Sequence, residues 1–414
     1  METSKNRIEK PNSCDQSLLR FLPSELIFEV LQWLPAKSLM RFKTVCKSWH
    51  YLIRDLDFAE AHYLFSQAIR PADSSHLLIL VTNHNNSVAK TIFPAKPDGV
   101  ISNRLPMYNF DLNYGVNCSN IVNGLICLSK SVFYKPNHEN HIELLNLTTK
   151  EKLSLPTLPS ALTCSCAIRC FLGFDPIDKL YKVLVFFGLP KRFFIITLSV
   201  GNRDADISSS SWRGIRGFPH MDVTKLKHVY ADGEIFWNVP GVVVNYFGFR
   251  EERFRSFCIH DKVPCPIMTE VEGKFSFVTL ETQYIGKRDV CKITLWKLMN
   301  KDGLIWVSDT IKLPGELLWR KRRISVIGST NTGYKLLITS KCDSTLDMLI
   351  FCDVFCEVGK KKKNCEIKQL MFEDSNVANQ LFSTLLSKEG EIDVIHHVEN
   401  ILPMNIRPGQ KKAD

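Results

Sequence analysis

The closely spaced cysteines and histidines are the first candidates for chemistry. Cys164, Cys166 and Cys170 stand near one another, and cysteine thiolates are common zinc ligands. They lack the paired C-x-x-C spacing of most tetrahedral zinc sites, so the pattern does not favour a metal. His138 and His141 would share one side of a helix, but the surrounding KPNHENH stretch is rich in turn-forming residues. We therefore predict a solvated loop there.

A glycine-containing stretch is the next candidate. Gly328 and Gly333 have the spacing of a phosphate-binding loop, but Tyr334 and Lys335 follow where Lys and then Ser or Thr are needed. We predict a polar turn between two strands. The sequence has no G-x-S-x-G nucleophile elbow and no cysteine beside a histidine in a recognisable nucleophile setting. The expectation is a protein without catalytic, metal-binding or cofactor-binding residues, and hence not an enzyme.

Composition predicts a soluble protein of several domains. Of its 414 residues, 45% are hydrophobic and 23% are charged, and roughly two to three domains are typical of that length. Residues 1–15 are polar and lack the apolar core of a signal peptide, so we predict a disordered arm and a cytoplasmic or nuclear location. The 14 cysteines are then expected to be reduced and buried. No apolar run approaches the ~20 residues that cross a bilayer.

Two basic runs contribute to the formal net charge of +10. Arg320–Arg323 and Lys360–Lys363 each fall between predicted strands, where charge keeps turns and sheet edges soluble. We predict solvated loops. A nuclear localisation signal or a contact with an acidic partner is the alternative for either run. Nucleic-acid binding is not favoured, because clusters of basic residues are few.

Two helical patterns open the chain, and one more, from Asp57 to Ala68, links them to the first strand-like run. Pro35 ends the first of them, because proline lacks a backbone donor and restricts the residue before it. The apolar positions on one side of the first helix are Leu22, Leu26, Ile27, Val30, Leu31 and Leu34. The second pattern has basic residues between its apolar positions, which include Leu39, Val45, Trp49 and Leu52. Both patterns predict amphipathic helices.

These helices have more apolar surface than they can bury among themselves, since segments below roughly 40 residues rarely fold alone. The surplus must face either another protein or the rest of this chain, and the spacing alone does not decide. A resemblance favours another protein. The segment closely resembles the F-box, through Leu22-Pro23, Leu34-Pro35 and the closing VCKSWHYLI run.

The F-box resemblance implies a partner. F-boxes bind the Skp-family adaptor of SCF-type ubiquitin ligases, and through it the cullin and RING subunits. Gln32-Trp33 departs from plant members, which often carry a small residue and an arginine there, and we expect this to affect only a rim contact. The resemblance places against the adaptor Leu22, Pro23, Leu26, Ile27, Val30, Leu31, Leu34 and Pro35. Residues that either join them or hold the helices together are Leu39, Val45, Trp49 and Leu52.

From residue 76 to 400, short β-branched and aromatic runs alternate with turn residues, which is typical of many short strands. So many hairpins in series need an arrangement that protects sheet edges, and a β-propeller provides one. Blades of four strands take roughly 40–50 residues each, which predicts about six or seven blades. Tight hairpin turns are predicted at Asp98-Gly99, Asn123-Gly124, Asp232-Gly233, Glu272-Gly273 and Asp302-Gly303.

The predicted protein is multi-domain. A small all-α F-box with a linking helix (16–70) precedes a large, mainly β domain (76–400) with an irregular β-propeller fold, and a flexible tail (401–414) follows. Residues from about 120 to 400 also resemble the F-box-associated, kelch-like interaction domain of plant F-box proteins, through VNGLICL and GFDPIDKLYKV. The chain departs from that family at Asn146-Leu147, where an Asn-Pro pair is common.

The two resemblances imply the substrate-recognition subunit of an SCF-type ubiquitin ligase, whose β domain binds an unidentified target protein for ubiquitination. The alternative is a non-degradative propeller protein that binds glycans or nucleic acid. Tryptophans could supply stacking surfaces for such ligands, although sheet core is their commoner environment. The tryptophans considered are Trp212, Trp237, Trp296, Trp306 and Trp319.

Overall fold

Short helices open the described part of the chain. A computed structural model describes residues 23–69 and, with gaps at connections between strands, residues 76–404. The helices are α1 Ser24–Gln32, α2 Ala36–Phe42, α3 Lys47–Ile53 and α4 Leu56–Ile69. Pro23 and Pro35 stand directly before α1 and α2, with φ angles of −54° and −59°. Proline suits these positions because the first N–H groups of a helix have no intrahelical partner.

The four helices share one small core. Leu31 of α1, Leu39 of α2, Ile53 of α3 and Phe58 of α4 are each at most 1% exposed and pack in one cluster. Ile401, which lies beyond the last strand, packs in the same cluster. The predicted small all-α domain is therefore present, and its core includes a side chain from far along the sequence.

Most of the remaining described chain forms antiparallel strands. The first four are β1 His76–Asn83, β2 Ala89–Ala95, β3 Val100–Ile101 and β4 Tyr108–Asn109. The second sheet contains β5 Gly115–Val122, β6 Leu125–Ser131, β7 Asn140–Asn146 and β8 Lys152–Ser154. The third sheet contains β9 Ile168–Asp175, β10 Leu180–Gly188, β11 Lys191–Leu198 and β12 Arg213–Ile215.

The later sheets repeat the same four-stranded plan. The fourth contains β13 His228–Ala231, β14 Glu234–Asn238, β15 Val243–Gly248 and β16 Arg253–Cys258. The fifth contains β17 Ile267–Val271, β18 Lys274–Ile285, β19 Arg288–Asn300 and β20 Ile305–Lys312. The sixth contains β21 Arg323–Ser329, β22 Lys335–Cys342, β23 Thr345–Asp353 and β24 Cys365–Gln369. The last two strands are β25 Met371–Phe372 and β26 Glu391–His397.

The first sheet combines strands from both ends of the β domain. β26 pairs antiparallel with β1, and β25 pairs parallel with β3. Successive sheets contact one another, as β9 does with β5, β17 with β13 and β21 with β17. β26 also contacts β21, and β2 contacts β5, so the first sheet meets both the sixth and the second. The described sheets number six, which confirms the predicted irregular β-propeller and its approximate number of blades.

Tight turns join the first two strands of several sheets. In three of them both turn residues have positive φ, as a two-residue hairpin turn requires. Asparagine and glycine tolerate this backbone region best. These confirmed turns are Asn123-Gly124, Asp232-Gly233 and Glu272-Gly273.

Two predicted turns have other outcomes. At Asp302-Gly303 the residue with positive φ is Leu304, at 47°, and its N–H donates to Lys301 O at 3.3 Å. The connection is therefore longer than the predicted two-residue turn. Asp98-Gly99 lies outside the described residues.

A partly buried ion cluster links the third and fourth sheets. Lys182 of β10 donates to Phe249 O at 2.7 Å and pairs with Glu252 at 3.0 Å. Arg213 of β12 donates to both carboxylate oxygens of Glu252, at 2.8 and 2.9 Å. Burial raises the pKa of Glu252, but the hydrogen bonds from Arg213 and Lys182 outweigh burial and hold that pKa below its ordinary value.

The predicted flexible tail at 401–414 does not begin at residue 401. Ile401 and Met404 are fully buried, and Asn146 Nδ2 donates to Leu402 O at 3.0 Å. Burial of these apolar side chains stabilises the segment against the rest of the protein. Residues 1–22, which include the predicted arm, and residues 405–414 lie outside the described residues.

Candidate adaptor interface

The cysteines and histidines that the spacing singled out form no site in the described part of the chain. Cys170 of β9 lies beside Cys127 of β6 in the core between the second and third sheets, and burial raises the pKa of the Cys127 thiol well above its ordinary value. A buried, protonated thiol is a poor nucleophile and a poor metal ligand. His141 is exposed, as predicted, but it lies in strand β7, so the predicted loop is wrong at this position. Cys164, Cys166 and His138 lie outside the described residues.

The glycine-containing stretch begins within a strand. Gly328 is in β21 and Lys335 begins β22, and these two strands pair antiparallel. The predicted turn itself, at residues 330–334, lies outside the described residues. Within the described ranges, no three His, Cys, Asp or Glu side chains lie close enough together to hold a metal ion. In those same ranges, no helix combines the length and apolar character needed to cross a membrane.

An apolar face is uncovered on the helical domain. Leu26 and Val30 lie one turn apart on α1 and are 47% and 61% exposed. Val45, between α2 and α3, is 44% exposed, and Pro23 and Pro35 are exposed as well. Leu26 and Val30 share one side of the helix, and adjacent exposed aliphatic side chains mark interaction surfaces.

Other predicted interface residues belong wholly or partly to the helical core. Leu31 and Leu39 are 1% and 0% exposed, so both side chains belong to the helical core and not to the exposed face. For Leu39 this is one of the two roles that the sequence left open, whereas Leu31 was predicted to lie against the adaptor. They point to the side of the helices that α4 and Ile401 cover. The residues that are half-buried against this core are Ile27, Leu34, Trp49 and Leu52. Leu22 lies outside the described residues.

The pair that departs from the F-box pattern connects α1 to α4. Gln32 Nε2 donates to Ala61 O at 3.0 Å. The ring of Trp33 meets the ring of Phe65 edge to face, with centroids 4.5 Å apart. The expectation of a rim contact alone is therefore incomplete, because both side chains of the pair hold the linking helix.

Charge is unevenly arranged around the helices. Lys37, Arg41 and Lys47 are exposed, whereas Lys43 is partly buried beside the β domain. Burial lowers the pKa of Lys43, and the nearby Glu151 carboxylate partly opposes this effect. Positive charge thus remains on the solvent side, while Lys43 faces an acidic residue of the β domain.

The tryptophans do not form an exposed stacking platform in the described residues. Trp237 is 0% exposed in the core between the third and fourth sheets. Trp212, Trp296 and Trp306 are partly buried against neighbouring cores. Trp212 Nε1 also donates to Pro156 O at 2.9 Å. Trp319 lies outside the described residues.

Comparison with known proteins assigns both parts of the chain. Residues 19–60 match the family model of the F-box domain. Residues 73–385 match the model of the F-box associated beta propeller domain, which covers more than half of the chain.

Similar proteins are named as F-box proteins and match this chain over most of their length. F-box protein At3g57590 of Arabidopsis thaliana is 27% identical over 331 residues, which cover 75% of this chain and 77% of that protein. Putative F-box protein At1g46984 of the same plant is 24% identical over 391 residues, which cover 93% and 94%. Among solved structures, the chain is similar to a six-bladed β-propeller lectin of Aleuria aurantia, with 7% identity, a TM-score of 0.32 and coverage of 72% and 96%. The chain belongs to the plant F-box proteins that carry an F-box associated beta propeller domain.

Proposed function

We propose that this protein is the substrate-recognition subunit of an SCF-type ubiquitin ligase. In this proposal the F-box binds a Skp-family adaptor, and through it the cullin and RING subunits, while the β domain binds a target protein. The two matched domains support that role, since proteins with this pair of domains are typically non-catalytic receptors. The protein would act in the cytoplasm or the nucleus.

One observation carries the adaptor part of the proposal. The helical domain buries Leu31, Leu39 and Phe58 within its own core, yet Leu26 and Val30 on the opposite side of α1 remain exposed. A domain that stabilised only itself would gain by covering these side chains, because burying one aliphatic side chain contributes roughly 1.5–3 kcal/mol. Their exposure supports a partner that covers them.

The contribution of such a subunit to ubiquitination is proximity. A target held by the β domain stays close to the ubiquitin-loaded enzyme at the other end of the complex, which raises the effective concentration of its lysines. No group of this chain needs to touch the reacting atoms. This agrees with the burial of Cys127 and Cys170 and with the hairpin around Gly328.

The face of α1 can be tested with the full-length chain and a purified Skp-family adaptor. Leu26→Asp combined with Val30→Asp places two charges on the exposed face, and we expect adaptor binding to be lost while the melting temperature stays that of the parent. Leu64→Asp is the matched control, because Leu64 is a similarly exposed leucine, 55% exposed, on α4. Binding of the adaptor by the double variant with the affinity of the parent would refute this assignment.

The target part of the proposal rests on the β domain. Affinity purification from cells under proteasome inhibition, with the full chain and with the Leu26→Asp, Val30→Asp variant, separates targets from ligase subunits. Proteins captured equally by both chains are candidate targets, whereas proteins lost with the variant enter through the adaptor. Glycan or nucleic-acid capture without adaptor would instead support a non-degradative binding protein.

A further inference from the structure

The segment Glu399–Met404, here called the strap, binds the second sheet of the β domain. The Asn400 N–H donates to Thr148 Oγ1 at 2.9 Å, and Asn400 Nδ2 donates to Asn123 O at 2.5 Å. The Met404 N–H donates to Glu151 Oε2 at 2.9 Å, and its side chain packs in the core between the second and third sheets. These contacts attach the strap firmly to one end of the β domain.

The same strap also enters the F-box domain. Glu399 Oε2 accepts a hydrogen bond from the Ala36 N–H at 2.8 Å. Ile401 is 0% exposed in the helical core, and Leu402 touches both the helical core and the core of the second and third sheets. The strap is therefore shared between two domains that are far apart in sequence.

Glu399 caps the amino-terminal end of α2. Ala36 is the first residue of α2, so its N–H has no partner within the helix. The preceding Pro35 provides no side-chain cap. A carboxylate at this position accepts the hydrogen bond and places negative charge at the positive end of the helix. The cap of an F-box helix thus comes from the end of the β domain.

A second link between the two domains runs from α4 to the Asn123-Gly124 turn, which the strap also binds. Tyr63 of α4 donates from its hydroxyl to Asn123 Oδ1 at 3.3 Å, while the backbone oxygen of Asn123 binds the strap. Glu60 of α4 pairs with Lys179 in the third sheet at 2.6 Å, but both are exposed, so this pair contributes little to stability. Helix and strap together leave the two domains little freedom to rotate.

We propose that Glu399, Asn400 and Ile401 are positioning residues that fix the direction of the adaptor-binding face relative to the β domain. The inference rests on the proposed function, because a fixed direction matters only if the β domain presents a target to an enzyme bound through the F-box. Glu399 acts through Ala36, Asn400 through Asn123 and Thr148, and Ile401 through the helical core.

The direct test measures the distance between the two domains in the full-length chain. Nitroxide-bearing noncanonical residues are placed at the exposed Lys47 and Lys191, and pulsed electron resonance gives the distance distribution. We expect one narrow distribution for the parent and a clearly broader one for Glu399→Ala combined with Asn400→Ala. Asp302→Ala, an exposed substitution in another turn, is the control and should leave the distribution narrow.

Glu399→Gln separates positioning from general destabilisation, because the amide oxygen still accepts the Ala36 hydrogen bond. We expect a narrow distance distribution and slow amide exchange in residues 34–42 for this variant. Glu399→Ala should speed exchange at Ala36 by about tenfold or more, as expected for loss of a hydrogen bond to a charged group. Because amide exchange at Ala36 is measured in single variants, it still tests the role of Glu399 if the double variant fails to fold.

The outcomes distinguish the two proposals. Broad distances in Glu399→Ala, Asn400→Ala together with parental adaptor affinity support positioning residues. A narrow distribution in that variant, with Ala36 exchange unchanged in Glu399→Ala, would overturn the inference even if the adaptor binds. Failure of the parent to bind any Skp-family adaptor would remove the proposed function, while the distance measurement would still decide whether the strap holds the domains.

Discussion

His62 donates a hydrogen bond from Nε2 to the backbone oxygen of Leu34 across 2.9 Å. The histidine is fully buried on α4, and the carbonyl group immediately precedes Pro35. Since a carbonyl oxygen only accepts, Nε2 carries the proton. This bond ties the linking helix to the point where the chain turns from α1 into α2.

His62→Ala removes that donor and leaves a buried carbonyl oxygen without it. We expect loss of helical-domain stability by ~1–3 kcal/mol, since an unsatisfied buried acceptor is costly. Faster amide hydrogen exchange in residues 24–42 would report this loss of stability. Gln67→Ala, on the exposed side of the same helix, should leave exchange unchanged, and equal effects of both variants would contradict the role given to His62.

Leu31 and Val30 are neighbours in sequence with opposite expected roles. Leu31→Ala opens a cavity in the helical core and should destabilise that domain by ~2–5 kcal/mol. Val30→Ala, at a side chain that is 61% exposed, should change stability by less than ~0.5 kcal/mol. It should instead weaken adaptor binding. Amide hydrogen exchange in α1 and α2 measures the stability of each variant, and titration with the adaptor measures its affinity. A Leu31→Ala variant as stable as the parent would show that the assignment of Leu31 to the core is wrong.

Gly173 leaves room for an aromatic ring between the third and fourth sheets. An added Cβ would lie 2.2 Å from Cγ and Cδ2 of Phe249, whose ring is fully buried and cannot easily move. Gly173→Ala should therefore destabilise the β domain by ~1–3 kcal/mol and lower its melting temperature. Gly214→Ala is the matched control, because its Cβ would meet nothing closer than 3.9 Å. Similar melting temperatures for the two variants would argue against tight packing at Gly173.

The stability of the β domain should depend on Glu252 at acidic pH. The pKa of Glu252 is below its ordinary value of 4.5 because its hydrogen bonds with Arg213 and Lys182 outweigh the effect of burial. Its contribution is complete above that ordinary value and is lost as pH falls through the lower folded-state pKa.

In the parent, the melting temperature should therefore fall as the medium is acidified below the ordinary carboxyl range. The Glu252→Gln variant should have a lower melting temperature than the parent at neutral pH. Its melting temperature should then fall less than that of the parent when the medium is acidified. Glu281→Gln affects a looser, more exposed pair with Lys292 at 3.6 Å, so its pH profile should run parallel to that of the parent. If the melting temperature of Glu252→Gln also changes with pH in parallel with that of the parent, this ion cluster is not the cause of the acid sensitivity.

The two basic runs should differ in their effect on target capture. Residues 320–322 fall between the end of β20 and the start of β21, whereas 360–363 fall between β23 and β24. Residues 320–322 and 360–363 lie outside the described residues, whereas Arg323 begins β21. In the sixth sheet, the antiparallel order places the start of β21 and the β23–β24 connection at opposite ends. The F-box domain contacts the second sheet at the Asn123 turn, which joins the first two strands of that sheet. Because the blades of a β-propeller share one orientation, we expect the β23–β24 connection at this same end of the β domain.

Charge reversal at Arg320 and Arg322 should therefore weaken capture of an acidic target in a salt-sensitive way. Reversal at Lys361 and Lys362 should have the smaller effect. Co-purification of targets across a salt series measures both. Equal sensitivity of the two pairs, or none, would contradict a target site at the end remote from the F-box.

Local sequence predicted the elements of the fold well. The four-residue recurrence of Leu26 and Val30 and the proline at 35 predicted α1 and its end, because helix periodicity is a local property. Asn123-Gly124 predicted its hairpin turn for the same reason, since the backbone conformation is determined at those two residues.

The division of the apolar residues into core and interface was beyond local reasoning. Leu31 and Val30 are adjacent in the helical pattern, and what separates them is α4 and Ile401 on one side only. The NILPM stretch from 400 to 404 has no helix or strand periodicity, and the polar residues 405–414 follow it, which is typical of a flexible tail. Its burial depends on partners at Ala36, Asn123 and Thr148, which only the folded chain brings near.

The pairing of β26 with β1 has a consequence for protein synthesis. The ribosome makes the F-box first, but strand partners for β1 and the Ile401 side chain of the helical core come from residues 391–404. The helical domain therefore reaches its final packing only after residues 391–404 have been translated, contrary to the usual order in which early domains fold first. A product of premature termination lacks both the Glu399 cap on α2 and the Ile401 side chain. Its helical domain should therefore be less stable than that of the full chain.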